Sequence, residues 1–190
     1  MVPGLKTETL SEGLRHRDFL SSPVFWCLIA SCGAFLFLCL PVLSLSFFLA
    51  GAAWEDYRTG YVSDGWSILL VLGGMAHGLR TDHLIESFLA VFVVLAIYGT
   101  IFFIARNSMG TGDIVLAASV SVWLEPLSAV VFVWIAAASA SVAGIMMILA
   151  GRGSRQSSIP FCPFIAIGGV IAYALRPMYL PILTAWLYPA

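Results

Sequence analysis

From residue 24 to residue 187 the chain is a nearly continuous series of apolar runs, separated by only a few polar residues at a time. That pattern restricts the solvent before it restricts the fold. A helix that crosses a bilayer needs roughly 20 consecutive apolar residues, and inside hydrocarbon every backbone polar group must be satisfied within the protein. Composition agrees: of the 190 residues 61% are hydrophobic and 10% charged, with a mean hydropathy of +0.99. A soluble domain is nearer half apolar and a quarter charged. The fold class that follows is all-α, a polytopic membrane helix bundle of about six transmembrane helices. It forms one membrane-embedded domain over residues 24–190 behind a polar tail, residues 1–23. The lipid bilayer is thus its first partner. A net charge of -1 without a basic run argues against a nucleic-acid partner.

The first apolar run, residues 24–54, is far too long for the core of a signal peptide and has Pro41 near its middle. Two paths are open. The run crosses once, from about residue 36 to residue 54 behind an interfacial segment, or it forms a tight hairpin broken at Pro41, whose ring removes a helical hydrogen bond. Further spans are expected over residues 63–78, 84–105, 114–124 and 128–150, and over 159–187 with an interruption at Arg176-Pro177. Counting crossings puts Arg58, Arg106, Arg152 and Arg155 on one side, which the positive-inside rule makes cytoplasmic. The basic tail (Lys6, Arg15, Arg17) joins that side only if the first run is a hairpin. On either path Asp56 and Asp113 come out at the cytoplasmic face. Cys27, Cys32, Cys39 and Cys162 show no CxxC spacing. They read as small hydrophobes, so neither a metal site nor a disulfide is expected.

Carboxylates near a membrane are costly and need a reason. Asp56 follows the first apolar run, and Asp113 opens the fourth span behind Gly110 and Gly112. Two close carboxyls hold one proton between them, because both cannot ionise cheaply, and that state suits peptide hydrolysis: one takes a proton from water while the other polarises the carbonyl. The helix dipole favours an ionised Asp113 at a helix start and a protonated Asp56 at a helix end, making Asp113 the base and Asp56 the acid. Gly110 and Gly112, lacking a Cβ, would permit unusual dihedrals and close approach of a substrate backbone to Asp113. Against this stand plain structural roles: an Asp in the first helical turn caps it, and Asp-x-Arg at a helix end anchors it at the interface.

The neighbours of these residues carry a resemblance. The stretches Asp56-Tyr57-Arg58-Thr59-Gly60-Tyr61-Val62-Ser63-Asp64, Gly110-Thr111-Gly112-Asp113-Ile114-Val115-Leu116-Ala117-Ala118 and Ile159-Pro160-Phe161-Cys162-Pro163-Phe164-Ile165-Ala166-Ile167-Gly168-Gly169 resemble, in order, three blocks of the type IV prepilin peptidases, bacterial GxGD-type aspartic peptidases. The resemblance implies a hydrolase of the inner (cytoplasmic) membrane with Asp56 and Asp113 as catalytic residues and no cofactor. Its substrates would be prepilin or pseudopilin precursors, whose short positive leader is removed at the cytoplasmic face, typically after a glycine, before type IV pilus or secretion assembly. Long members of the family also carry a cysteine tetrad and methylate the new terminus. This chain shows no such cysteines, and it looks like the short, peptidase-only form associated with Flp/Tad pili. Three positions depart from the blocks: Ser63-Asp64 replaces Pro-Asn, Val115 replaces Lys, and Cys162 replaces Gly.

Other residues are read more plainly. Arg58 orients substrate or anchors its helix at the headgroups, Asp64 lies near the pair or caps a helix start, and Glu55 adjoins Asp56 but points elsewhere. His77 reads as a satisfied core histidine. Two further functions stay open: a proton-coupled membrane transporter using the aspartates as a relay, and an inactive scaffold of a pilus or secretion assembly. Transporters tend to hold such charges at mid-membrane and to show repeats; here both aspartates lie at span ends and no repeat is visible.

Overall fold

The structure, a computed structural model, describes residues 26–32, 40–104, 110–150 and 161–187. These residues form a short helical stretch at 26–32 and six longer helices: α1 (Pro41–Thr59), α2 (Asp64–Thr81), α3 (Leu84–Ile104), α4 (Thr111–Ser121), α5 (Pro126–Leu149) and α6 (Cys162–Leu187). An all-α bundle is what the apolar runs require. The longest seam joins α5 to α6, and α6 also packs on α1. On the other flank α4 lies between α2 and α3. Leu45, Leu49, Leu70, Val94, Leu116, Val120, Phe132 and Ile165 close the core with no exposed surface.

Three helices, α3, α5 and α6, are long and apolar enough to cross a membrane. Their outward faces carry Phe92 and Phe103, Trp134 and Leu149, and Met178 and Trp186, all exposed. Large apolar side chains in such continuous array suit contact with lipid.

The structure differs from the sequence reading at two helices. α4 has 11 residues, about 16 Å of helix at 1.5 Å per residue, and stops at Ser121 instead of running to Leu124. There the backbone turns, with Trp123 and Leu124 N–H groups donating to Val120 and Ser121 carbonyls at 3.0 Å. The Trp123 indole reaches across to the Leu70 carbonyl of α2 at 2.8 Å. A tertiary hydrogen bond from a buried tryptophan thus ends a helix that hydropathy alone would extend. α6, by contrast, is not interrupted at Arg176-Pro177 but continues through Pro177 and Pro181. The Tyr179 hydroxyl donates to the Ala172 carbonyl at 2.6 Å, in the turn ahead of Pro177. The carbonyls left without a helical donor are those four residues before each proline, at Tyr173 and Pro177, so this bond braces the adjoining turn and does not replace a lost one.

The path of the first apolar run is partly visible. The Trp26 ring meets the Trp66 ring edge-on, with centroids 5.2 Å apart, and the Trp66 indole donates to Glu55 Oε2 at 2.6 Å. Residue 26 therefore lies at the Asp56 end of α1. Leu40 is the N-cap of α1 at its other end, 19 helical residues away, or about 28 Å. Residues 26 and 40 sit at opposite ends of one helix, as the hairpin path demands. The tail, residues 33–39 and the arginines 106, 152 and 155 lie outside the described residues.

His77 is buried near the far end of α2. Its Nε2 lies 3.0 Å from the Tyr173 hydroxyl, and its ring stacks on Trp123 with centroids 5.6 Å apart. It is the satisfied core histidine expected.

Candidate active site

Asp56 lies in the last turn of α1, beyond the apolar part of that helix. Gly60 closes the turn in the left-handed region, at φ 67°, and donates its N–H to the Asp56 carbonyl at 2.8 Å. A residue with a Cβ would resist that conformation, so the glycine after Asp-x-Arg fixes the helix end on which the carboxylate is mounted. Glu55 holds the next connection: its Oε2 accepts from the Ser63 N–H at 3.2 Å as well as from the Trp66 indole. This carboxylate ties α1 to the start of α2 and turns away from Asp56, as expected.

Asp113 is the third residue of α4, counted from the N-cap Gly110. Its carboxylate accepts from the backbone N–H of Gly110, the reach-back half of a capping box. The Gly110-x-x-Asp113 spacing is therefore a local device that aims the carboxyl at its own helix start. Gly110 adopts φ -68° and ψ 143°, and Gly112 is helical; neither requires the unusual dihedrals expected of them. What glycine supplies here is bareness. Among the described residues a Cβ at Gly112 would meet nothing within 4 Å, so the helix start beside Asp113 is uncrowded on that side.

The fold brings the two carboxylates together. Asp56 is 8% exposed, its carboxylate receives the backbone N–H of Cys162 at the start of α6, and its Oδ2 is buried without a partner among the described residues. Both groups lie beyond the ends of the apolar segments, and both are held above the usual carboxylate range. Burial is the main cause in each case. For Asp113 the neighbouring charge of Asp56 adds to it and carries the carboxyl higher. The dipole argument had given the proton to Asp56. Burial raises both carboxyls and the like charge adds to Asp113, so the dipole is not alone in deciding where the pair's shared proton sits.

The remaining sequence-selected residues are arranged around this pair. Arg58 is exposed, its guanidinium stacked 5.0 Å over the Trp54 ring, the interfacial anchor arrangement. Asp64 is exposed at the first residue of α2, with Ser63 as the N-cap, so it is a first-turn acid and not the cap itself. Val115 is exposed, and Cys162 is buried. Sequence reasoning missed the backbone contribution of Cys162, and it missed Tyr98 of α3, a buried tyrosine whose hydroxyl has no partner among the described residues. A polar aromatic inside an otherwise apolar run was the available signal.

The sequence profile of the type IV leader peptidase family matches residues 43–149, more than half of the chain. The chain belongs to that family. The match runs from the start of α1 to the end of α5 and includes both aspartates. The family makes the protein a peptidase, and its long apolar helices make it a multi-pass membrane protein. The third block, around Cys162, lies beyond the matched residues. Neither the curated proteins nor the solved structures contain a match to the chain. The Asp56–Asp113 pair is the candidate that this structure offers.

Proposed function

We propose that the protein is an aspartic endopeptidase that removes the leader of prepilin or pseudopilin-like precursors at the cytoplasmic face, with Asp56 and Asp113 as the water-activating pair. One observation carries the reading: two carboxylates from distant parts of the chain lie close enough for the charge of one to raise the other. The resemblance of the flanking residues to prepilin peptidases supports the substrate class. The basic residues Arg58, Arg106, Arg152 and Arg155 support the cytoplasmic side.

In the resting pair Asp56 is ionised and Asp113 protonated. Asp56 takes a proton from water as the water oxygen adds to the scissile carbonyl carbon. The carbonyl oxygen receives the Asp113 proton, giving a neutral gem-diol. Asp56 then returns its proton to the amide nitrogen, the C–N bond breaks, and a diol proton goes back to Asp113. One water is consumed and the pair ends as it began. The long apolar helix of a pilin precursor stays in the bilayer, while its short leader enters beside Gly112.

The test is co-expression with a prepilin carrying a short basic leader that ends in glycine, followed by gel shift and mass analysis of the new N-terminus. Leader loss at one bond is expected; an unchanged precursor in every pairing would sink the reading. The transporter and scaffold alternatives both predict that unchanged precursor.

Two variants probe the geometry. Cys162 occupies the first position of α6, where proline is tolerated but has no N–H to donate. Loss of a hydrogen bond to a charged group is worth about 1.5–3 kcal/mol, or roughly one pH unit or more. In Cys162→Pro the Asp56 carboxyl is therefore expected to titrate higher, moving the acid limb of the pH–rate profile upward by about one unit. Cys162→Ala keeps the N–H and should leave the limb in place. An identical limb in both variants would remove Cys162 from the account. Gly112→Ala adds a Cβ in open space and improves helix propensity by roughly 0.5–1 kcal/mol. It is expected to match or exceed wild type in thermal stability while raising KM for a protein substrate. Unaltered KM would mean that the substrate does not pass there.

A further inference from the structure

The chemistry above leaves one requirement unassigned. As water adds, negative charge grows on the carbonyl oxygen, and Asp113 supplies a single proton. Most enzymes that form a tetrahedral intermediate meet this charge with a second, fixed donor.

Tyr98 of α3 has the chemistry for that task. It is 3% exposed, and its hydroxyl is buried without a hydrogen bond to any of the described residues. A buried tyrosine hydroxyl ordinarily finds a partner. Its ring is seated edge-on against Phe161, with centroids 6.2 Å apart and planes at 75°. Phe161 directly precedes Cys162, whose N–H meets Asp56, so the same short segment touches both Tyr98 and the pair. On the other side the Asp113 carboxylate is within electrostatic reach of the hydroxyl. A second orphaned polar atom, Asp56 Oδ2, belongs to the same cluster. The cluster therefore presents one unused donor and one unused acceptor beside a protonatable carboxyl. A hydrated peptide bond supplies the complement, with its carbonyl oxygen for the donor and water for the acceptor.

We infer that Tyr98 is a third catalytic group, whose hydroxyl donates to the scissile carbonyl oxygen and stabilises the charge that builds there as water adds. The phenol stays protonated throughout and transfers nothing. The proton inventory remains that of Asp56, Asp113 and water. The inference rests on the peptidase reading above.

The test uses the full chain in membranes or detergent, with a peptide spanning a leader junction. Tyr98→Phe removes one oxygen and keeps the ring against Phe161. Loss of a single donor of this kind is expected to lower kcat by about 100-fold, with KM nearly unchanged and both pH limbs in place. A peptide analogue bearing a tetrahedral secondary alcohol at the scissile position should lose affinity by a comparable factor. Thermal stability should not fall, because the substitution removes an unpartnered buried hydroxyl. Wild-type kcat in Tyr98→Phe overturns the inference. A loss accompanied by a shifted pH limb overturns it in favour of a positioning role through Asp113, and a loss that tracks a lowered melting temperature overturns it in favour of packing. Silence of the wild type, or cleavage by Asp56→Asn and Asp113→Asn, defeats the peptidase reading itself. That result is distinct from an active wild type with an unimpaired Tyr98→Phe.

Discussion

Asp56→Asn and Asp113→Asn are each expected to slow leader removal by about 10²- to 10⁴-fold, and the double variant to be no slower than the worse single one. In the proposed mechanism the two carboxyls share one proton, so removing either leaves the other without its counterpart: no base for water, or no acid for the carbonyl. Groups acting as a unit are non-additive, and the second deletion has little left to remove. Two independent sites would instead multiply their losses, and a multiplicative double variant would argue that the aspartates serve separate functions. Stability should move the other way. The Asp113 carboxyl holds its proton more tightly in the fold than in the unfolded chain, because burial and the Asp56 charge both oppose ionisation. Ionising it at a pH above that raised value therefore costs stability. The asparagine carries no such cost, so Asp113→Asn should be at least as stable as wild type near neutral pH. The difference should close as pH falls towards the ordinary carboxylate range. An enzyme that gains stability on losing activity has stored the cost of its site in its fold. Thermal unfolding in detergent at several pH values, beside the cleavage rates, checks both halves.

The parts of this account that were legible in the sequence are those set by local chemistry. Apolar runs gave the helices of the bundle, since hydrocarbon leaves the backbone few alternatives. The ends of α1 and α4 were readable because Gly60 and the Gly110-x-x-Asp113 spacing act within one turn. Blocks around Asp56 and Asp113 pointed to the family that the profile match then gave. What could not be read depends on contacts between helices. α4 stops early where the Trp123 indole bonds to a carbonyl on α2, and α6 runs on through two prolines at which the sequence suggests a break. The protonation order proposed for the pair differs from the dipole's because burial, invisible along the chain, also acts on both carboxyls. Tyr98 and the Cys162 amide went unnoticed for a related reason. One is an aromatic within an apolar run, the other a backbone group, and neither has a sequence signature until α3 and α6 are packed beside α1 and α4.

That packing has a point where it can be broken. At Gly168 of α6 a Cβ would stand 3.0 Å from the Phe132 carbonyl oxygen and 3.0 Å from the Ala136 nitrogen, both backbone atoms of α5. Backbone cannot rotate away as a side chain can, so the two helices approach this closely only because residue 168 has no side chain. Its neighbour Gly169 faces Val120 of α4 and Leu49 of α1, which makes this pair the crossing where α6 meets three partners. Gly168→Leu must push α6 off α5 and is expected to cost about 3 kcal/mol, the upper end of the usual overpacking penalty. It should appear as a clear drop in the unfolding temperature in detergent. Gly99→Ala is the control, because a Cβ there meets nothing within 4 Å, and it should be neutral or slightly stabilising. The functional consequence follows from where α6 begins. Cys162 lies less than two turns before Gly168, so a displaced α6 carries its N–H away from Asp56. At temperatures where Gly168→Leu remains folded, its acid limb should move in the same direction as that of Cys162→Pro. A Gly168→Leu protein that melts like Gly99→Ala would show the seam to be loose. One that melts low but keeps the wild-type limb would show that the amide is not positioned through this crossing.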